Sequence, residues 1–257
     1  MPDTHVIDSV RSRVSEAEWQ ARLDCAACYR LLAVFGMTDL IYNHVTVRIP
    51  GEGERMLINP YGWMYEEITA SSLITIDIDG NTVFNPHPDL GINQAGYVIH
   101  SAVHAARHDV GCVIHTHTRA GMAVSIMKCG LLPLSQTALR CLPVTYHDYE
   151  GPALDLDERA RLVADLGNGS SMILRNHGLL TASPTAAEAF NMMYWLEMAC
   201  KAQVDAMAAN TELNTPKEKV IELSMHQYRP ETRRRYGLLE WPAMLRLLDR
   251  RDSSWRN

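Results

Sequence analysis

His115-Thr116-His117 and, sixty residues on, His177 within Asn176-His177-Gly178 are the residues of this chain whose types and spacing point most directly to chemistry. His115 ends an apolar run, Cys112-Val113-Ile114, that reads as a buried strand. Side chains at i and i+2 of a strand share one face. His115 and His117 therefore project together where the strand gives way to a loop. His177 follows a second short apolar run, Met172 to Leu174, and is brought in from another strand end. Three imidazoles with an open position have the composition of a catalytic divalent-metal site. Imidazole suits zinc, manganese, iron and cobalt alike.

Eleven histidines are present in all, so coincidence has to be weighed. His100, His104 and His108 recur at helical spacing. A zinc-gripping helix pair of the metalloprotease type needs a glutamate after its first histidine, and Ser101 stands there. A helix face packed under the sheet, with its imidazoles hydrogen-bonded, is the better reading.

The elements that must position the triad are legible from pattern. Ser15-Glu16-Ala17-Glu18 has the form of a capping box, which starts a helix running through Trp19, Leu23 and Leu32 to a stop near Gly36. Strands are predicted over His44–Ile49 and Met56–Asn59, and a hairpin over Leu73–Ile78 and Thr82–Phe84 around Asp79-Gly80-Asn81. A helix over Ala95–Arg107 precedes the strand Gly111–His115, and another helix covers Arg119–Met127. Pro143–His147 reads as a strand, Leu156–Leu166 as a helix and Met172–Arg175 as a strand. Ser183-Pro184 reads as the cap of a long helix through Met207. Helices around one sheet follow from this order. A polar break at Asn210–Asn214 separates a tail with a second helix start at Thr215-Pro216-Lys217-Glu218. The division expected is an extension over 1–14, a main domain over 15–209 and a helical extension over 210–257 that packs on the core or on a neighbouring subunit.

Composition narrows the class. The chain has 257 residues, 47% hydrophobic and 21% charged, with a net charge of −6; that balance gives no pull toward nucleic acid or anionic membranes. Arg233-Arg234-Arg235 reads as a solvated face or subunit contact. No apolar stretch is long enough to span a bilayer. Cys25 and Cys28 form the only close cysteine pair. Without a second pair they read as small buried helix residues, and a reducing, cytoplasmic setting is the expectation.

Three ordered motifs, Leu57-Ile58-Asn59-Pro60-Tyr61-Gly62, Val113-Ile114-His115-Thr116-His117 and Leu174-Arg175-Asn176-His177-Gly178, resemble the class II aldolase/adducin family over roughly Ser15 to Met207. Ile41-Tyr42-Asn43-His44, Asn93-Gln94-Ala95-Gly96 and Tyr146-His147-Asp148-Tyr149 resemble segments of adducin heads. The resemblance implies an α/β fold, a three-layer α/β/α sandwich around a mostly antiparallel sheet. It also implies a homotetramer with the site near a subunit boundary, and zinc or another divalent metal on His115, His117 and His177. The family's sugar-phosphate aldolases use a glutamate as acid/base; aligned on the histidine pair, that position falls on Gly96. Their phosphate-gripping asparagine, threonine-glycine turn and serine pair fall on His44, Tyr61-Gly62 and Gln94-Ala95, where only Gly62 is retained. Gln94 and Gly62 are then the candidates for substrate binding.

These departures favour a metal-dependent lyase. It would act on a small, non-phosphorylated carbonyl or carboxylate substrate, by C–C cleavage or decarboxylation through an enolate-like intermediate. His44, Tyr61 and His147 are the candidate proton donors by residue type. The alternative is a non-enzymatic interaction module of the adducin-head kind, with a sugar-phosphate aldolase or epimerase as a third reading.

Overall fold

The computed structural model describes residues 10–151 and 157–257, with residues 94 and 95 described in backbone alone. Eight strands form one sheet: β1 (His44–Arg48), β2 (Met56–Ile58), β3 (Ile74–Ile76), β4 (Thr82–Phe84), β5 (Cys112–Thr116), β6 (Thr145–His147), β7 (Ser171–Leu174) and β8 (Gly178–Ser183). Their spatial order is β4-β3-β2-β1-β5-β8-β7-β6. Every neighbouring pair is antiparallel except β6 with β7. The α/β class and the mostly antiparallel sheet are those expected.

Helices cover both faces, because the central strands are apolar on both sides. One layer holds α1 (Glu16–Val34), α3 (Arg119–Ile126), α4 (Gln136–Cys141) and α6 (Ala186–Ala208). It packs on Val45, Val47, Leu57, Cys112, Ile114, Ile173 and Leu179. The other holds α2 (Gln94–Ala106) and α5 (Glu158–Leu166), whose Ile99, Val103, Leu162 and Leu166 meet Val113, Met172, Leu174, Leu180 and Ala182. The strict alternation along β5 sends His115 to the α2 side and Thr116 to the α6 side, where its hydroxyl meets Met193 Sδ at 3.3 Å.

Local chemistry explains the element ends. Ser15 caps α1 by accepting from Glu18 N–H at 3.0 Å, as the capping pattern predicts. The hairpin of β3 and β4 forms, with Asp77 accepting from the N–H groups of Asp79 and Asn81. Two expectations need correction. Residues after His177 form a strand, β8, and Ser183 closes it. The long helix is capped two residues later by Thr185, which accepts from Glu188 N–H. Gln136–Cys141 is a helix where none was expected, capped by Ser135. The start expected for α5, at Leu156, lies outside the described residues.

The tail returns to the core as α7 (Glu218–Gln227), α8 (Trp241–Arg251) and a 3₁₀ turn, Ser253–Arg256. Trp255 is buried, Arg30 of α1 donates to Asp252 at 3.0 Å, and Ser71 N–H donates to the carbonyl of Asn257 at 2.8 Å. Arg22, also on α1, is fully buried. It pairs with Glu18 at 2.7 Å and donates to the carbonyls of Ala70 and Leu73 and to the Thr75 hydroxyl. This guanidinium ties α1 to the chain leading into β3. Removing one partner of a buried pair leaves the other charge uncompensated, so Arg22→Met should cost about 3–5 kcal/mol in urea unfolding. A loss under about 1 kcal/mol, the range of surface pairs, would contradict this role.

Candidate metal centre

The sheet register builds the site. His44 on β1 is the direct partner of His115 on β5, and His115 is the partner of Leu180 on β8. His117 follows β5 by one residue. His177 sits in the turn between β7 and β8, where Leu174 pairs with Gly178. Two backbone features set this turn. Asn176 has φ of +57°, a conformation that asparagine tolerates better than most residues. At Gly178, a Cβ would lie 2.3 Å from the carbonyl oxygen of Thr116. Only glycine lets the start of β8 come this close to the end of β5, and that approach brings His177 to His117.

Three Nε2 atoms converge. Those of His115 and His117 are 2.8 Å apart, and those of His117 and His177 are 2.9 Å apart. The outer nitrogens decide what these contacts mean. His115 Nδ1 donates its proton to the carbonyl of Leu179 at 2.9 Å, and His117 Nδ1 donates to Asp39 Oδ2 at 3.0 Å. Each ring then carries its lone pair on Nε2, assigned here from the hydrogen-bond partners. Two lone pairs facing at 2.8 Å repel unless an electrophile lies between them. Burial, and then the neighbouring imidazoles, hold His115 well below its ordinary value and His177 down to about 4, which disfavours a second proton on either of these two rings. A divalent cation fits this donor set, with a carboxylate and a carbonyl orienting the rings from behind. Among the described residues this is the one cluster of three potential ligands.

His44 lies beside the triad, its ring centroid 5.2 Å from that of His115. It is buried, and burial followed by the surrounding imidazoles keeps it well below its usual pKa, hence neutral. A Cβ at position 96 would fall 2.2 Å from His44 Cδ2. Gly96 therefore has a steric role: the His44 imidazole lies against α2 in the space a side chain at 96 would take. Behind His44 runs a chain of hydrogen bonds. His44 Nδ1 meets His100 Nε2 at 2.8 Å, and the Thr46 hydroxyl meets both His100 Nδ1 and His104 Nε2 at 2.8 Å. His100 and His104 are thus buried, hydrogen-bonded residues of the α2 face, as expected. His108 is exposed, 3.5 Å from Glu54.

The other candidates are placed differently. Tyr61 is partly exposed on the turn after β2, its N–H donated to Gly91, and Gly62 follows with φ of +112°. Among the described residues, no hydrogen bond or ring contact joins Tyr61 to the triad. The Gln94 side chain lies outside the described residues. His147 is buried between Asp165 (2.7 Å) and Glu158 (3.3 Å), and shares a small cavity with His177. Both its nitrogens are engaged, so it is held rather than free. Two neighbours of the triad were not anticipated. Asp39 orients His117. Asn43 accepts from the His117 N–H at 3.3 Å, while its own Nδ2 is buried with no acceptor. Such an orphaned donor beside the triad is suited to an oxygen atom of a bound molecule.

Residues 23–204 match the family described as class II aldolase and adducin N-terminal domain. The chain belongs to this family. An aldolase II superfamily protein from Pseudomonas syringae is 50% identical to it. Its crystal structure covers 97% of this chain and 100% of its own, with a TM-score of 0.91. Mouse alpha-adducin is 48% identical over 189 residues, 73% of this chain but only 26% of the adducin. L-fuculose 1-phosphate aldolase from Glaciozyma antarctica, 24% identical, shares the fold with a TM-score of 0.82 over 94% of this chain and 93% of its own.

Two outcomes test this description. Gly96→Ala should destabilise the protein by about 1–3 kcal/mol, because the methyl group displaces His44; an unchanged urea midpoint would show the ring elsewhere. Burial, then Arg48, lowers the pKa of His104 to about 3. The unfolded chain binds its proton near pH 6.5, so stability contributed by neutral His104 is present above that pH and is lost as pH falls toward 3. Urea unfolding between pH 6 and 4 should show a slope that shrinks by about 1.4 kcal/mol per pH unit in His104→Leu. An identical slope in the variant would contradict a buried neutral imidazole.

Proposed function

We propose that the chain is a metal-dependent lyase. It cleaves or decarboxylates a small, non-phosphorylated carbonyl or carboxylate compound, with zinc on His115, His117 and His177, or alternatively manganese, iron or cobalt. The observation that carries this reading is the convergence of Nε2 lone pairs whose rings are each locked from behind. A divalent ion held there supplies a Lewis acid for the substrate oxygen at which negative charge develops.

The chain's own groups divide the remaining work. Asn43 Nδ2 offers a donor to a substrate oxygen. His44 is the proton carrier, because no side chain at 96 can act and its ring lies next to that position. The chain His44–His100–Thr46–His104 has two self-consistent directions. In one, His100 donates to His44 Nδ1, and His44 Nε2 carries a proton to give. In the other, His44 Nδ1 donates to His100, and Nε2 is free to accept. His100 and Thr46 thus position His44 and let it act in either sense. Tyr61 and His147 rank behind it, the first for want of a contact with the triad, the second because both nitrogens are occupied. Gly62 and Gln94 stay candidates for substrate contact.

Family membership supports a homotetramer as the working form, with residues 15–209 as the catalytic unit and 210–257 as its extension. The free thiols of all six cysteines support a reducing, cytoplasmic setting. No helix among the described residues is long and apolar enough to cross a membrane. The identity to alpha-adducin favours a second reading, a non-enzymatic interaction module, and one experiment separates the two. Metal content and product release are measured for protein purified without chelator, over a panel of β-keto and β-hydroxy acids with a sugar phosphate as control. Stoichiometric metal is expected, with turnover of an acid, both lost in His115→Ala. Asp39→Asn, which removes the carboxylate behind His117, should weaken metal binding about 10–100-fold. A metal-free protein, or turnover untouched by His115→Ala, would refute the lyase. A stable protein partner without metal-dependent turnover would establish the module.

A further inference from the structure

A second cleft lies at the other end of the sheet. The triad sits where β8 begins. This cleft opens near Ser183, where β8 ends, about 17 Å away at ~3.3 Å per residue. It consists of two adjoining cavities between α4, α6 and the returning tail, the more apolar of which has a volume of about 410 Å³. Arg140, Asn191, Trp195 and Tyr236 line both, and Phe190 and Trp241 add aromatic wall to the apolar one.

Its polar groups are incomplete in a specific way. The Arg140 guanidinium lies 4.8 Å from the Trp195 ring centroid and 5.1 Å from that of Tyr228. Arg140 is half-buried, and the rings give it no acceptor: its Nε is buried with no hydrogen-bond partner, and no ion pair joins Arg140 among the described residues. The Tyr236 hydroxyl, on a ring 5.0 Å from that of Trp195, is buried and unpartnered as well. Of the other charged groups lining the cleft, Arg234 pairs with Glu240, Arg235 with Glu188 and Arg107 with Asp109, while Arg229 and Glu231 add one charge of each sign, so no ion pair offsets Arg140. Buried donors without acceptors are uncommon in folded proteins and cost free energy. Both orphans here can donate, one is a cation, and the space beside them is walled by aromatic rings. The complement is an acceptor bearing negative charge on a flat apolar body.

We infer that this cleft is a second ligand site, for a small aromatic carboxylate whose carboxylate is taken by Arg140 and the Tyr236 hydroxyl while its ring enters the pocket beside Trp195. Guanidinium and carboxylate match in shape and charge. The site is separate from the metal centre and does not rest on the proposed reaction.

Calorimetric titration with 3-phenylpropionate, and with its uncharged amide, tests this on the full chain. The acid should bind saturably and the amide about tenfold or more weakly. Arg140→Met should abolish that preference, and His115→Ala should leave it intact. Tyr236→Phe gives a second reading if Arg140→Met folds poorly. It removes a hydroxyl that has no partner in the free protein, so the melting temperature should hold while affinity for the acid falls severalfold. Equal binding of acid and amide, or no binding at millimolar concentration, would overturn the proposal. So would a change in subunit number in Arg140→Met, which would assign the cleft to a contact between copies of the chain.

Discussion

Two imidazole lone pairs, on His115 and His117, are held face to face by hydrogen bonds on the far side of each ring. Left alone, the pair is repulsive, and the fold must hold it in place. It does so with the most rigid parts it has. β5 is buried along its whole length between β1 and β8, the Leu179 carbonyl belongs to the paired strand, and Gly178 lets that strand close up against Thr116. Much of the architecture on the α2 side follows from this requirement. β1 brings His44 into register with His115, and α2 must be bare at position 96 to admit the ring.

The same constraint bears on position 96. A glutamate at 96 and an imidazole at 44 would compete for one volume. Here the imidazole has it, backed by a column of hydrogen-bonded groups. Such a column is costly to bury where polar atoms lack partners. Thr46 limits that cost, its hydroxyl bridging two rings that do not meet directly, and His104 Nδ1 alone of the column's ring nitrogens behind His44 is left buried without a partner.

How far the sequence reveals this depends on the range of the interaction. The shared face of His115 and His117 is a local consequence of strand period, and the capping of α1 by Ser15 is equally local. Both are readable from neighbouring residues. The pairing of His44 with His115 joins residues seventy-one apart through sheet register, and no periodicity announces it. β8 is missed for a different reason. It is six residues long and follows a tight turn, and its last residue, Ser183, stands before a proline in a pattern that also suits a helix cap. α4 is too short to show a period. Asp39 and Asn43 lie in the loop before β1, where function leaves no repeating pattern, and only the orphaned amide and the carboxylate behind His117 mark them out.

The three converging nitrogens form a donor set suited to a divalent cation. X-ray absorption at the metal edge, on protein purified without chelator, tests it most directly. A bound divalent metal is expected, with three nitrogen neighbours at about 2.0–2.1 Å for zinc and a further oxygen at the open position. Protein without an absorption edge for zinc, manganese, iron or cobalt, or a metal whose nearest neighbours are sulfur, would contradict it.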